Sequence, residues 1–570
     1  MRDGALGAGE VIISGRDNKL VVRAAPADVP LLQMLPIRKF NPRAGEWTFP
    51  NATRIRKFFE RMGEQLPPMP RIAPYTGLDA SFQFKLSPRE YQGHAMAAGR
   101  DMKAFAYLMD PGTGKTPVLI NEANAAILRR DVAPAVLLIC PNSIKSNWED
   151  ELAKHSSAGY VAHSYEASKK KHADQFRQLK TRDTKWFIMG VEQLSAPSGV
   201  EMAEAFLQAH PNATMSIDES SRIRIHDSKR TKTIIRIGGQ AARRRIATGT
   251  VVTKAPHHFW PQFEFLDPDI LDLDFSYFRG FFCQVDPQHP TRIVGGVNED
   301  ILLDMVSPYS FIARKEDVLT ELPPKVHQVR RVQPTQEQRN AYDALLADAE
   351  MEDSRYTTAL VRNLRLHQIT GGFIVKERAR QRLADLLASG LGEEFLEKAA
   401  EKVLYECEAI PGRNAKIDEL LEIVQEIDGK FVIWARYVAE IKLIAEALRP
   451  YGKVVEFHGE VSQEDRTAAR RSFQDDPSVR FFVGNQATGG IGITLTAARA
   501  MVFFSNCWGA EDRIQAEDRI HRISQEHDSC LYIDLTLVGS LVDSRVYRSV
   551  MAGVDYHKEM MNELAIRQNA

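Results

Sequence analysis

The sequence predicts an α/β protein built on two parallel β-sheets. Short apolar runs recur along the chain, with helical patterns between them. Such runs are typical of strands buried on both faces of a parallel sheet. The first series is 136–140, 214–218 and 245–250, and the second is 430–435, 479–484, 500–505 and 530–535. Two series predict two lobes, each with its own sheet.

Composition shifts divide the chain further. The proline-dense stretch 66–75 is stiff and cannot pair as a central strand, so we predict a domain boundary there. Before it, 9–15 and 19–23 form a predicted hairpin and 53–62 a basic amphipathic helix. The predicted domains are a small α+β domain at 1–75, a first lobe at 76–325, a mostly helical insertion or linker of the second lobe at 326–412, and a second lobe at 413–570.

Bulk properties limit the function classes. The chain has 570 residues, 44% hydrophobic and 26% charged, with a net charge of −1. It has no apolar run of about 18 residues, which excludes a predicted membrane span, and no secretory core at its start. The five cysteines form no Cys-x-x-Cys pair, so neither structural zinc nor disulfides are expected. We expect a monomer in the cytoplasm or nucleoid, of bacterial or phage origin.

A phosphate-binding loop is predicted at Met109-Asp-Pro-Gly-Thr-Gly-Lys-Thr116. Gly112 and Gly114 let the backbone curl so that several N–H groups point at one anion. Lys115 would place a positive charge against the β and γ phosphates of ATP, and the Thr116 hydroxyl would bind Mg²⁺. A strand at 105–109 and a helix from 117 give the loop its expected context.

An acidic pair, Asp218-Glu219, follows the strand at 214–218. Asp218 would hold Mg²⁺ through water, and Glu219 would orient and deprotonate the attacking water. In the second lobe, Gln515-Ala-Glu-Asp-Arg-Ile-His-Arg-Ile-Ser-Gln525 predicts a helix with two arginines three residues apart on one face. Together these motifs predict an ATP site divided between two lobes.

In their order, the motifs resemble those of the Swi/Snf-like ATPases of helicase superfamily two, over roughly residues 84–550. The resemblance rests on Leu86–Gln92, Cys140–Ser143 with Trp148, Thr248–Thr250, Phe275–Arg279, Pro308–Val318, Leu322–Lys325, Phe457–Gly459, Gly489–Ala498 and Gln515–Gln525. It implies two RecA-like lobes with helical insertions and a DNA-dependent ATPase.

The resemblance also implies residue roles. Gln92 would contact adenine, the loop would include Thr113, and Arg519 and Arg522 would be arginine fingers, with Gly490 also at the nucleotide. The DNA contacts it implies in the two lobes are Pro141, Asn142, Ser143, Lys145, Trp148, Arg222, Thr250, His458, Thr488 and Trp508.

The N-terminal stretch Ile37-Arg-Lys-Phe-Asn-Pro-Arg-Ala-Gly-Glu-Trp-Thr-Phe-Pro50 resembles the HARP module of annealing helicases. Residues 1–75 carry twelve lysines and arginines against seven acids, and positive charge favours phosphate backbones. Arg38, Lys39 and Trp47 are therefore further candidate DNA contacts. A small hairpin core with a solvated charged face would give the same pattern.

The expected function is an ATP-dependent translocase on double-stranded or branched DNA, remodelling forks or annealing strands in DNA repair. A strand-separating DNA or RNA helicase is one alternative. A nucleotide-gated DNA-binding clamp with little turnover is another.

Overall fold

The structure, a computed structural model, describes residues 11–14, 18–23, 29–62, 64, 66, 82–167, 183–351, 357–376, 378–379, 406–486 and 493–569. The chain forms two compact units, Met1–Thr320 with Tyr556–Ala570, and Glu321–Asp555. Among the described residues, no helix has the length and apolarity needed to cross a membrane. The connector predicted at 66–75 lies almost entirely outside the described residues.

The first unit begins with a small antiparallel sheet. Its strands are β1 (Val11–Ser14), β2 (Lys19–Arg23), β3 (Lys39–Asn41) and β4 (Glu46–Pro50), in the order β1-β2-β4-β3. Two helices accompany them, α1 (Val29–Leu32) and α2 (Thr53–Arg61). The predicted hairpin and basic helix are thus confirmed. Leu20, Phe49 and Phe59 are buried, and they belong to the same apolar core as the larger sheet that follows.

That larger sheet has seven parallel strands in the order β13-β5-β10-β9-β6-β8-β7. Their bounds are β5 (Ala104–Met109), β6 (Ala135–Cys140), β7 (Tyr160–Ser164), β8 (Thr184–Gly190), β9 (Thr214–Asp218), β10 (Arg243–Thr248) and β13 (Ser310–Ala313). The central strands are buried at almost every position, as their continuous apolar runs predict. A separate hairpin pairs β11 (Cys283–Val285) with β12 (Ile293–Gly296).

Helices cover this sheet. They are α3 (Glu90–Gly99), α4 (Lys115–Leu128), α5 (Lys145–His155), α6 (Pro197–Ala209), α7 (Lys229–Gly238), α8 (Phe259–Leu266), α9 (Pro268–Leu271), α10 (Phe275–Phe282), α11 (Glu299–Val306) and α12 (Lys315–Val318). Because β10 lies between β5 and β9, the carboxyl ends of these three strands are neighbours. The phosphate loop, the acidic pair and Thr248–Thr250 follow those three ends.

The second unit contains a six-stranded parallel sheet in the order β14-β21-β20-β17-β19-β18. The strands are β14 (Lys325–Val332), β17 (Lys430–Trp434), β18 (Lys453–Phe457), β19 (Val479–Gly484), β20 (Ala498–Phe503) and β21 (Cys530–Leu537). Its helices are α13 (Gln336–Met351), α14 (Thr357–Thr370), α15 (Ala415–Glu426), α16 (Val438–Leu448), α17 (Gln463–Asp475) and α18 (Ala510–Glu517), and the chain ends with α19 (Leu541–Asn569).

Three details differ from the sequence prediction. The segment 326–412, predicted to be mostly helical, also includes most of β14 and a short antiparallel pair, β15 (Phe373–Val375) with β16 (Cys407–Ala409). Tyr556–Ala570, predicted within the second lobe, belong to the first unit. The helix predicted over 515–525 ends at Glu517. The two parallel sheets and the small N-terminal domain are confirmed.

Candidate functional site

The phosphate loop has the backbone curvature that its glycines predict. Gly112 and Gly114 have φ angles of 85° and 86°, which side-chain-bearing residues rarely adopt. Gln92 Nε2 and Tyr91 Oη, both on α3, donate to the Thr113 carbonyl at 3.0 and 2.8 Å. The loop is therefore held from α3 as well as by β5 and α4.

Lys115 lies almost fully buried at the start of α4. Its Nζ donates to the Met109 carbonyl at 3.0 Å. The lysine is thus folded over its own loop, where a phosphate would compete with backbone carbonyls for the ammonium group. The contact of Lys115 with the β and γ phosphates stays a prediction.

Asp218 is buried at the end of β9, where the sequence predicts it. Trp148 Nε1 donates to its Oδ2 at 3.0 Å, and the Glu219 backbone N–H donates to its Oδ1 at 3.0 Å. Burial, and then the neighbouring Glu219 carboxylate, raise the pKa of Asp218 to about 7, while Lys115 opposes the rise. A buried carboxylate next to a second, half-buried one fits a divalent cation, since the charge of the cation would offset both. Asp218 and the Thr116 hydroxyl are the residues that would hold Mg²⁺.

The turn after β10 touches the other two motifs. Thr248 Oγ1 donates to Glu219 Oε2 at 3.5 Å, and the Thr250 N–H donates to Thr248 Oγ1 at 3.1 Å. Gly249 lies so close to Pro111 of the phosphate loop that a Cβ would overlap the proline ring. Binding or loss of a γ-phosphate could therefore shift this turn through the contact with Glu219 or through the contact with Pro111.

A small cavity of about 20 Å³ lies beside the phosphate loop, and the sequence prediction captured only part of its lining. Its walls are Leu86, Ser87, Pro88, Gln92, Met96, Pro117, Val118, Asn121 and His155. Asn121 Oδ1 is buried without a hydrogen-bond partner, so the wall offers an acceptor for an amino group. Gln92 is committed to the loop and to the Arg89 N–H, so its predicted contact with adenine stays a prediction.

The second unit holds the two predicted arginine fingers in different environments. Both follow the end of α18, so the prediction that they share one helical face is wrong. Arg519 is 3% exposed, and it donates to the carbonyls of Gln515 and Ile493 at 2.7 and 3.1 Å. Arg522 is half-buried and donates to Thr494 Oγ1 at 2.8 Å. Arg519 therefore joins two motifs within its own unit, and Arg522 is the more accessible of the two.

Arg513, on α18, is a residue that the sequence analysis missed. Its guanidinium binds both oxygens of Asp534 at 2.5 and 2.9 Å and Glu517 at 2.8 Å, and it lies 3.5 Å from the Phe503 ring centroid. This buried network fixes α18 on the sheet, and thereby the segment with Arg519 and Arg522. The one signal in the sequence was the i,i+4 spacing of Arg513 and Glu517.

Several predicted DNA contacts are buried. Pro141, Trp148, Thr250 and His458 have almost no exposed surface, and Trp148 binds Asp218 instead. We correct the prediction that these four residues contact DNA, because DNA cannot reach their side chains without a rearrangement. Asn142 and Ser143 are exposed at the end of β6, and Arg222 and Trp508 are half-buried.

Other candidate contacts are engaged or undescribed. Lys145 donates to the Tyr165 carbonyl at 2.8 Å, and burial lowers its pKa. In the N-terminal sheet, Arg38 donates to the Leu35 carbonyl, Lys39 pairs with Asp272, and Trp47 packs on Phe40. Gly490 and Thr488 lie outside the described residues.

Comparison with known proteins identifies the family. The model of the SNF2-related domain matches residues 82–381, and that of the helicase conserved C-terminal domain matches 415–524. The chain belongs to the SNF2-related family. The first match contains the phosphate loop, the acidic pair and the Thr248–Thr250 turn, and the second contains both arginines. The predicted resemblance is thus confirmed.

Named relatives are similar at low identity. The SWI/SNF-related matrix-associated actin-dependent regulator of chromatin subfamily A-like protein 1 homolog of Caenorhabditis elegans is 25% identical over 93% of this chain and 72% of its own length. The DNA annealing helicase and endonuclease ZRANB3 of Homo sapiens is 24% identical over 77% of this chain and 37% of its own. This SNF2-related chain spans less than half the length of several relatives.

A solved structure, "Sulfolobus solfataricus SWI2/SNF2 ATPase core in complex with dsDNA", covers 86% of this chain and 97% of its own at 22% identity. Its TM-score of 0.37 is too low to support an argument.

Proposed function

We propose that this SNF2-related chain is an ATP-dependent translocase on double-stranded or branched DNA, with ATP and Mg²⁺ as its nucleotide and metal. The observation that carries the proposal is the set of contacts around the phosphate loop. Lys115, the Asp218–Glu219 pair and the Thr248–Thr250 turn meet at three adjacent strand ends. ATP hydrolysis needs an anion cradle, a metal ligand and a base for water, and these residues supply all three.

In the proposed reaction, the loop N–H groups and Lys115 hold the phosphates. Mg²⁺ would neutralise charge on the β and γ oxygens. Glu219 orients and deprotonates the attacking water. Glu219 has a φ angle of 55°, an unfavourable backbone conformation that places its carboxylate within reach of Thr248.

The second unit would complete the site with cations. Arg522, the more accessible arginine, supplies positive charge where negative charge develops in the transition state. A finger of this kind is worth roughly 10³ to 10⁵ in rate. Closure on ATP and reopening after hydrolysis then move the DNA-gripping surfaces in turn, and that alternation produces translocation.

DNA is the proposed substrate because of the relatives. Similar proteins include the DNA annealing helicase and endonuclease ZRANB3 of Homo sapiens and the DNA repair and recombination protein RDH54 of Saccharomyces cerevisiae. Contacts to phosphates would make binding tolerant of sequence and sensitive to salt. Fork remodelling or strand annealing is the proposed task, carried out by a monomer in a bacterial or phage-infected cytoplasm or nucleoid.

Steady-state ATPase assays with single-stranded, duplex, forked and RNA ligands test the proposal. Duplex and forked DNA should stimulate turnover most, and a bound third strand should be displaced without unwinding of a tailed duplex. Unwinding of that duplex would favour a strand-separating helicase. Absence of stimulation by any DNA would favour a nucleotide-gated clamp.

Lys115→Ala provides the internal control. It should abolish hydrolysis, because the phosphates lose their cation, while affinity for duplex DNA measured without nucleotide changes little. Normal turnover by this variant would contradict the assignment of the phosphate loop.

A further inference from the structure

The first unit carries an exposed hairpin that the ATP site does not use. Strands β11 and β12 are joined by Asp286–Arg292, and every residue from Pro287 to Arg292 is exposed. Two apolar side chains of this hairpin region face solvent, Val294 at 49% exposure and Val297 at 41%. Both side chains are therefore accessible to a partner that offers an apolar surface.

The hairpin is stiff although it is exposed. Within its turn, the Asp286 N–H donates to the Arg292 carbonyl and the Arg292 N–H to the His289 carbonyl, at 2.9 and 2.8 Å. The Gln288 N–H donates to Asp286 Oδ1 at 2.9 Å. From α10, Arg279 donates to the Pro290 carbonyl and so supports the tip. Pro287 and Pro290 remove further backbone freedom.

The base of the hairpin lies in a positively charged environment. His226 stacks on Phe275 of α10 and faces Lys232, Arg279 and Asp227. His257, which contacts Cys283 at the start of β11, faces Lys254, Arg224 and Arg279. Burial and then these cations lower the pKa of His257 to about 4. We call Arg224, Lys232, Lys254 and Arg279 the basic cluster.

The acids of these elements are exposed or engaged in other contacts, and Asp274 accepts the Tyr277 N–H at 2.9 Å at the start of α10. Asp227 is exposed beside His226, and Asp286 pairs with Arg292 at 3.7 Å. Glu299, which follows β12, accepts a hydrogen bond from Tyr556. The region therefore suits a polyanion, and the phosphate backbone of DNA is the polyanion that the proposed function supplies.

We propose that this hairpin is a branch-contacting element: the basic cluster binds backbone phosphates, and Val294 and Val297 pack on bases exposed where a DNA duplex divides. This inference rests on the proposed function, and it adds that the chain contacts DNA at the point where a duplex divides. Phosphates offer nothing to a valine side chain, and an intact duplex keeps its base faces stacked. A branch point exposes those faces, and apolar wedges are a known means of contacting unstacked bases. A stiff hairpin would act as such a wedge.

The test compares two DNA ligands. Fluorescence anisotropy with the full chain would give the dissociation constants for a three-way junction and for a plain duplex of equal length. The double variant Val294→Ser with Val297→Ser should weaken junction binding about tenfold, the scale of one valine side chain no longer buried against a base, and keep duplex affinity. Val326→Ser with Val329→Ser is the matched control, because those valines are 46% and 39% exposed in the second unit.

A second pair of substitutions tests the cluster. Lys232→Ala with Lys254→Ala should weaken binding to junction and duplex alike and reduce the slope of log affinity against log salt by about 2, one for each lost phosphate contact. An unchanged slope would overturn the role of the basic cluster.

The other outcomes of these experiments also test the proposal. Unchanged junction affinity in the valine variant overturns the proposal and favours a protein partner for the hairpin. Equal losses on junction and duplex overturn its branch specificity. Failure of the proposed function shows separately, as absence of DNA-stimulated ATPase in the unsubstituted chain.

Discussion

Arg519 and Arg522 have the same chemistry but should respond differently to substitution. Arg522→Ala should lower turnover by about 10³ or more, keep ATP binding and leave the melting temperature unchanged, since its side chain is half-buried. Arg519→Ala should instead destabilise the second unit, because it leaves buried carbonyls of Gln515 and Ile493 without a donor, at about 1–3 kcal/mol each. Turnover, nucleotide affinity and thermal unfolding of both variants would separate the two roles.

The exposed Arg499 offers a control for Arg522 within the same unit. Arg499→Ala should change neither turnover nor melting temperature. Normal turnover by Arg522→Ala would show that the finger assignment is wrong.

Trp148 illustrates what the sequence could not reveal at the scale of one residue. A tryptophan shortly after a strand end resembles a DNA contact, yet the indole N–H is bound to Asp218. Trp148→Phe should therefore lower ATP turnover, since the carboxylate loses the donor that orients it, while duplex affinity changes little. A loss of DNA affinity with normal turnover would restore the original interpretation.

At the scale of elements, the accuracy of the prediction followed burial. β6, β9 and β19 are buried at nearly every position, and the sequence located them within a residue or two. β14 was not recognised because it is exposed along most of its length and carries Lys325, His327 and Arg330, so no apolar run marks it. The end of α18 at Glu517 was also missed, since neither glycine nor proline follows.

Asp304 on α11 joins elements that are far apart in sequence. Its Oδ2 accepts the N–H of Thr53 at the start of α2 at 2.7 Å, and its Oδ1 accepts from Arg567 of α19 at 2.8 Å. Because the carboxylate is buried, Asp304→Ala should destabilise the first unit by about 3–5 kcal/mol. Thermal unfolding and protease sensitivity of 29–62 would measure the loss.

Asp300 on the same helix is the matched control. It pairs with Arg54 at 2.6 Å, but both side chains are about half exposed. Asp300→Ala should cost less than about 1 kcal/mol. Equal losses of stability in the two variants would show that Asp304 contributes no more to stability than the exposed pair of Asp300 and Arg54.

At the scale of the whole molecule, the N-terminal domain is part of the first unit. Its core residues are continuous with those of the large sheet, and Lys19 and Lys39 both pair with Asp272. These cations are therefore partly neutralised by contacts within the unit. The net positive charge counted over residues 1–75 is therefore larger than the positive charge that this domain can offer to DNA.

Because of this packing, deleting residues 1–75 does not cleanly test whether the HARP-like N-terminal domain binds DNA. Deleting 1–75 would expose Ile270 and Met305 of the large core, so we expect a lower melting temperature and impaired ATPase even on plain duplex.

A substitution of exposed residues avoids that loss. Arg43→Ala with Lys57→Ala removes two exposed cations and should weaken binding to forked DNA with an unchanged melting temperature. Lys442→Ala with Lys453→Ala, on exposed positions of the second unit, is the control. Unaltered fork affinity in the Arg43 and Lys57 variant, at several salt concentrations, would leave the domain a structural part of the first unit.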